Sequence, residues 1–240
     1  MCGRFTQQRP TAELAELFEA RPAPEGATGH YDDPGGHYNV APTQDVAVIV
    51  QPAPDRARVV DAYRWGLVPS WAKDPKIGNR MINARAETVA TSPAFKRSFS
   101  GGRRCIVPAD AFYEWRRVDE KTRQPYLIRR PDGAPLAFAG LWSTWKDEPN
   151  EAWLRSCTII TTRANEGMER IHDRMPVILP PEVWDQWLDP SLTDTELLQA
   201  LLHATPAGEL EAVPISTAVN NPRNKGPELA RPVEGEVLTV

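Results

Sequence analysis

Along the chain, apolar residues recur mostly in short continuous or alternating runs bounded by Gly, Pro, Asn and Asp, the pattern of strands more than of helices. GRFTQ, at 3–7, reads as a first strand. TAELAELF follows it with Leu14, Leu17 and Phe18 on one face, which predicts a short helix. Residues 21–38, RPAPEGATGHYDDPGGHY, are crowded with Pro and Gly and read as a loop, not a linker between domains. Strand signals then dominate, at VAVIV (46–50), VVDAYRWGLV (59–68), RCIVPADAFYEW (104–115) and CTIITT (157–162). PYLIRR and PLAFAGLW, either side of a Pro131-Asp132-Gly133 turn, add two more, and the strands are expected to follow one another as antiparallel neighbours. Helical signals return at ANEGMERIH, PEVWDQWL and TDTELLQALLHA. No internal repeat or low-complexity tract interrupts this order. The expectation is an α+β protein with a β-rich core.

Composition narrows the class. At 240 residues, 41% of them hydrophobic, the chain can bury one large core or two small ones. A charged Arg4 and the polar QQRP follow the start where a signal peptide would carry an apolar run. No stretch approaches the roughly 18 apolar residues that span a bilayer, so no membrane partner is expected and the cytoplasm is the expected location. Three cysteines (Cys2, Cys105, Cys157), an odd count without C-x-x-C spacing, argue against a disulfide framework or zinc ribbon. The four histidines show no metal-ligand spacing either, so no metal is expected.

Net charge is −4, which argues against a protein that coats nucleic acid generally. Its distribution is uneven. Lys73, Lys76, Arg80, Arg85, Lys96, Arg97, Arg103 and Arg104 face only Asp74 and Glu87 within 73–104, a local +6 on an otherwise acidic chain. Such a region suggests one anionic ligand held at one place, although scattered solvated charges would look the same.

Four polar groups stand where neither a plain core nor a plain surface asks for them. Cys2 follows Met1 directly; once Met1 is removed it carries a free amine beside a free thiol, a pair that can condense with an aldehyde to an imine and close a thiazolidine. MINARAET, at 81–88, offers the amide of Asn83 and the guanidinium of Arg85, which on a strand share a face. AFYEW, at 111–115, sets Glu114 among aromatics that would raise its pKa towards general acid–base use. IHDRMP, at 171–176, pairs the titratable His172 with Arg174. Each has a plain alternative: a frayed terminus, a turn-capping Asn, a strand-edge Glu facing water, and a His at a helix end.

In combination with YNVAP (38–42), WGLVPSW (65–71), the TTRAN run before IHDRMP, and the tail VNNPRNKGPEL, these motifs resemble the SRAP family of SOS-response-associated peptidase-like, abasic-site-processing proteins. The likeness runs in order from Met1 to about Pro232. It implies a single domain over 1–240 built on a barrel-like, mostly antiparallel sheet flanked by short helices. It also implies binding of single-stranded DNA containing abasic sites, at gaps, overhangs or fork-like junctions, and a covalent crosslink to the ring-opened sugar. In that reading Cys2 is the nucleophile, Asn83 orients it, Glu114 is the acid/base and His172 shuttles protons. Arg4, Arg85 and Arg174 hold phosphates, Asn39 and Thr161 add polar contacts, and Pro42 and Trp71 wedge or stack against bases. No cofactor is implied, a monomer suits one adduct per chain, and the bound form would associate with the nucleoid. Many relatives carry a second tryptophan where this chain has Ala72.

Two other classes use the same features. An N-terminal cysteine also serves amidohydrolases and peptidases, its own amine acting as base, but their downstream R-G-P-D-G-like loop and N-G-E-like strand are absent here. A non-covalent single-strand-binding module would need the basic region without the chemistry.

Overall fold

The computed structural model describes residues 2–23, 37–147, 150–203 and 205–240. Its strands are β1 (Phe5–Gln7), β2 (Ala20–Pro22), β3 (His37–Val40), β4 (Asp45–Val50), β5 (Arg58–Trp65), β6 (Asn83–Arg85) and β7 (Arg104–Ala109). These are followed by β8 (Ala111–Arg117), β9 (Arg123–Arg129), β10 (Leu136–Asp147), β11 (Ala152–Arg163), β12 (Arg174–Pro176), β13 (Glu211–Pro214) and β14 (Leu238–Thr239). Four short helices accompany them: α1 (Thr11–Leu17), α2 (Lys96–Ser100), α3 (Trp184–Leu188) and α4 (Thr195–Ala200).

One sheet runs β14-β13-β9-β8-β1-β3. The other runs β12-β11-β10-β7-β4-β5-β2, with β6 added beside β11. A parallel pairing of β11 with β5, at Ser156–Arg64 and Cys157–Trp65, joins β11, β10, β7, β4 and β5 into a closed five-stranded mixed barrel. The expected barrel-like α+β fold is therefore present.

Side-chain alternation explains why the barrel strands read as unbroken apolar runs. Along β4, Val46, Val48 and Val50 enter a core shared with the other sheet, while Ala47 and Ile49 enter a second core under the helices. Cys105, Val107 and Ala109 of β7 do the same against Ile106. A strand buried on both faces has no polar side to display. The shared core also takes Phe5, Val40, Phe112 and Ile128 from the β1-containing sheet, so the two sheets are packed face to face.

Several expectations need correction. The run at 104–115 is two strands, broken at Asp110, whose N–H bonds Thr6 O and whose carboxylate takes the Gln8 N–H. The Pro131-Asp132-Gly133 turn does not close a hairpin: β9 pairs β8 and β13, whereas β10 pairs β7 and β11. ANEGMERIH yields only a 3-10 turn at Met168–Arg170. There, Asn165 Oδ1 takes the Met168 N–H and Gly167 is pressed against Val240, where a Cβ would lie 2.5 Å from the Val240 Cα. In α1 the buried stripe is Leu14–Ala15 with Phe18, and Leu17 is 40% exposed. The loop expected at 21–38 is strand at both margins; residues 24–36 lie outside those described.

WGLVPSW owes its path to a close crossing of two glycines. Gly66 has φ +127° and a Cβ there would sit 2.6 Å from Gly78 O; one on Gly78 would sit 2.5 Å from Gly66 O. This contact aims the segment that ends at Trp71.

Candidate active site

Cys2 precedes β1, and Tyr113 N–H bonds Arg4 O at 2.9 Å, so the start of the chain is laid along β8. Its side chain is fully buried in the core shared by the two sheets. Burial pushes the thiol up to about 12; the Glu114 carboxylate adds to the rise and the positive amino terminus opposes it. Glu114, on β8, is itself buried, with Oε1 accepting from Trp115 N–H at 3.2 Å. Burial raises its carboxyl above the usual range, and the amino terminus and His172 pull the other way. Glu114 therefore acts electrostatically on Cys2, and His172 on Glu114. The strand-edge alternative for Glu114 does not hold.

His172 Nδ1 lies 3.0 Å from the Arg174 N–H and 2.9 Å from the exposed Asp173 Oδ1. A main-chain N–H only donates, so Nδ1 is the acceptor nitrogen and the neutral ring carries its proton on Nε2. Glu114 and His172 both line a cleft of about 530 Å³.

Asn83 and Arg85 do share β6, which runs parallel to β11 with Asn83 opposite Ile159 and Arg85 opposite Thr161. Asn83 is half-buried. Its amide donates to Ile159 O at 3.4 Å, but its Oδ1 is buried with no donor among the described residues. A buried acceptor without a partner costs about 1–3 kcal/mol, so it reads as a place kept for an incoming N–H. Arg85 is exposed and has no ion pair among the described residues.

Thr161 is almost fully buried, between β6 and β12. Its carbonyl takes the Ala86 N–H at 2.8 Å and Arg174 Nη2 at 2.6 Å. It therefore positions the neighbouring arginines and is not a contact on the outside. Arg174 is forked onto Glu87, at 2.6 and 3.0 Å, and that pair holds the Glu87 carboxyl below its ordinary range.

Asn39 also departs from the expected contact with a ligand. It is fully buried; its Oδ1 accepts from Arg4 Nη1 at 2.7 Å, and its Nδ2 faces Val219 O, Asn221 O and Asn224 O at 3.3, 3.2 and 2.9 Å. Arg4 Nη1 reaches Val219 O as well, at 2.9 Å. The two side chains clamp the VNNPRNK tail, which Lys225 Nζ ties to Asn39 O at 2.6 Å. Pro42 is half-buried in the turn after β3, and Trp71 is 57% exposed. These two lie outside the Cys2–Glu114–His172 group. Ala72 is buried with its carbonyl accepting from Trp145 Nε1 at 2.7 Å, so its side chain offers no stacking face.

The family model for the SOS response associated peptidase (SRAP) matches residues 1–222. The chain belongs to the SRAP family. An abasic site processing protein of Bacillus subtilis (strain 168), YoqW, is 46% identical over 230 residues, covering 95% of this chain and 98% of that one. YedK of Escherichia coli (strain K12), of the same description, is 37% identical over 97% of this chain and all of its own length. HMCES of Xenopus tropicalis, another, is 34% identical over 95% of this chain and 77% of its own. Among solved structures, a protein from Bacteroides thetaiotaomicron superposes with a TM-score of 0.84 at 24% identity, covering 97% of this chain and 100% of that one. One from Bordetella bronchiseptica gives 0.71 at 28%, covering 90% and 100%.

In this SRAP chain one member of the basic stretch is not available to any ligand. Arg104 is buried, donating to Phe99 O, Trp187 O, Asp189 O and Leu192 O, so it locks the helical layer onto β7. Conversely, Trp115, Lys121, Arg123 and Asn220 line the cleft beside Glu114 and His172 without having been singled out. Asn220 lies in the VNNPRNK motif and Trp115 in FYEW; only the hairpin cations had no motif to announce them. No described helix is long and apolar enough to cross a membrane.

Proposed function

We propose that this chain processes abasic sites in single-stranded DNA by forming a covalent thiazolidine with the ring-opened sugar through Cys2, after Met1 has been removed. The reading rests on one observation above the rest: the start of the chain, with Cys2 buried ahead of β1, lies along β8, whose Glu114 lines one cleft with His172. The names of the relatives, which describe abasic site processing, support the substrate.

The chemistry follows from the site. The Cys2 amine adds to the sugar aldehyde, and its N–H bonds to the waiting Asn83 Oδ1. Glu114, whose carboxyl is raised above its usual range by burial, protonates the departing hydroxyl so that water leaves and the imine forms. Burial holds the sulfur as the thiol, so in the second step it must give up its proton as it adds to the imine carbon, and that proton passes to nitrogen. The sum is one new ring and one water lost. His172 exchanges protons with Glu114 in both directions, which also permits reversal. At the imine stage β-elimination of the 3′ phosphate competes, giving weak lyase activity. The family's peptidase name is met, in this reading, by removal of Met1 alone.

Intact-mass spectrometry after mixing with an abasic-site oligonucleotide tests the proposal. The expected product is one oligonucleotide per chain lacking Met1, less one water. Cys2→Ala should abolish that stable adduct while leaving some strand cleavage through another amine. An undiminished denaturation-resistant adduct with Cys2→Ala overturns the thiazolidine. Equal binding of intact and abasic strands with no mass increase would favour a non-covalent binding module, and glutaminase or general peptidase turnover lost with Cys2→Ala would favour hydrolysis.

A further inference from the structure

We propose that Lys121, on the turn joining β8 to β9, and Arg123, the first residue of β9, form with Asn220 a phosphate-binding rim on the cleft that Glu114 and His172 also line. Resting on the function proposed above, it assigns the rim a phosphodiester next to the abasic site. The six residues lining the cleft are divided by chemistry. The acid–base pair Glu114 and His172 makes one part, and Trp115, Lys121, Arg123 and Asn220 make the other. Lys121 and Arg123 are exposed, and neither side chain has a hydrogen bond or ion pair among the described residues.

Asn220 has a fixed orientation. Trp115 Nε1 donates to its Oδ1 at 2.7 Å. An indole N–H cannot accept, so the amide oxygen must face Trp115 and the NH2 group points elsewhere, with no acceptor among the described residues. The rim thus offers a lysine, an arginine and an amide NH2, a set matched to phosphate oxygens.

A second observation points the same way. In the β8–β9 ladder Arg117 lies directly opposite Arg123. Like charges in that register destabilise a hairpin, and an anion seated there would relieve the repulsion. The nearby carboxylates do not serve: Asp119 is turned onto the Lys121 and Thr122 N–H groups at 2.7 and 2.8 Å, and Glu236 lies 3.9 Å from Arg116. Glu120, also on the turn, is exposed. Arg85 and Arg174 belong to the barrel sheet, whereas the hairpin belongs to the other one.

The test measures adduct formation under single-turnover conditions between about 50 and 200 mM salt, for the wild type, Lys121→Ala, Arg123→Gln and the double variant. The double variant should be about tenfold slower at low salt, with its log rate against log salt shallower by about 0.7, the value for one phosphate on a single strand. Arg56→Ala, an exposed cation on another groove, should match the wild type. Methylphosphonate placed singly at each linkage near the lesion should slow the wild type strongly at one linkage and leave the double variant unaffected there. Arg123→Gln should also melt no lower than the wild type, because the opposed arginines are then separated. Identical rates and salt slopes, or no linkage with a non-additive effect, overturn the rim. If the wild type forms no adduct, the covalent reading fails separately; the same methylphosphonate scan by fluorescence anisotropy, with a tetrahydrofuran site in the strand, then decides the rim by the same criterion.

Discussion

Replacing Asn39 by Ala removes a buried amide that serves four groups. The magnitude follows from what each atom does. Oδ1 accepts one charge-assisted bond from Arg4, of the kind worth about 1.5–3 kcal/mol. Nδ2 has two hydrogens shared among Val219 O, Asn221 O and Asn224 O, which counts as two neutral bonds of about 1 kcal/mol each. The sum is about 4 kcal/mol, a large part of the 5–15 kcal/mol typical of a folded protein. For a chain of this length that corresponds to a fall in Tm of about 10 °C. Thermal unfolding by circular dichroism, with urea titration for the free energy, measures it directly. The variant should also lose adduct rate well below its Tm, because the loosened tail carries Asn220 and no longer steadies Arg4 beside β1. Asn39→Asp should not rescue: it keeps the Arg4 bond but turns an acceptor on three carbonyls. A loss under about 1 kcal/mol would refute the clamp, since those hydrogen bonds would then contribute nothing net.

Other outcomes are fixed by burial and charge. Burial raises the folded-state pKa of Glu114, so between the ordinary carboxyl value and the raised one the native state binds more protons than the unfolded chain, and stability falls as pH rises through that window. Glu114→Gln should therefore melt higher than wild type at about pH 8 and lose that advantage below about pH 4, while forming adduct slowly; a lower Tm at both pH values would contradict the burial penalty. Arg104→Met leaves four carbonyls without their donor and should cost about 4 kcal/mol, yet leave the salt dependence of DNA binding unchanged. Arg85→Ala should do the reverse, with Tm unmoved and the log–log salt slope of single-strand binding reduced by about 0.7.

Much of the fold was legible because strands buried on both faces are written as apolar runs, as in VAVIV, and because MCGRF and FYEW sit on adjacent strands. What the sequence concealed was pairing. Nothing in PYLIRR or PLAFAGLW says that the turn between them joins different sheets, since both strands alternate alike and the partners lie far away in sequence. The site residues divide in the same manner. Cys2, Glu114 and His172 stood out in sequence only in combination, since each alone has a plain alternative. Asn39 and Thr161 look identical, in sequence, to residues that touch a ligand; their full burial is a tertiary fact. Arg104 looks like its neighbours Arg97 and Arg103 until the helical layer closes over it. The hairpin cations were invisible for the opposite reason, because an exposed Lys or Arg in a turn is ordinary.

The strand β11 constrains substitution. It closes the barrel against β5, carries β6 with Asn83 and Arg85 on one margin, and carries β12 with Arg174 on the other. A slip of one position along it would turn every alternate side chain about and open the seam at once. Substitutions in the β8–β9 turn, at 119–122, meet water instead, so that turn can be rewritten without disturbing the frame on which Asn83, Arg85 and Arg174 are carried.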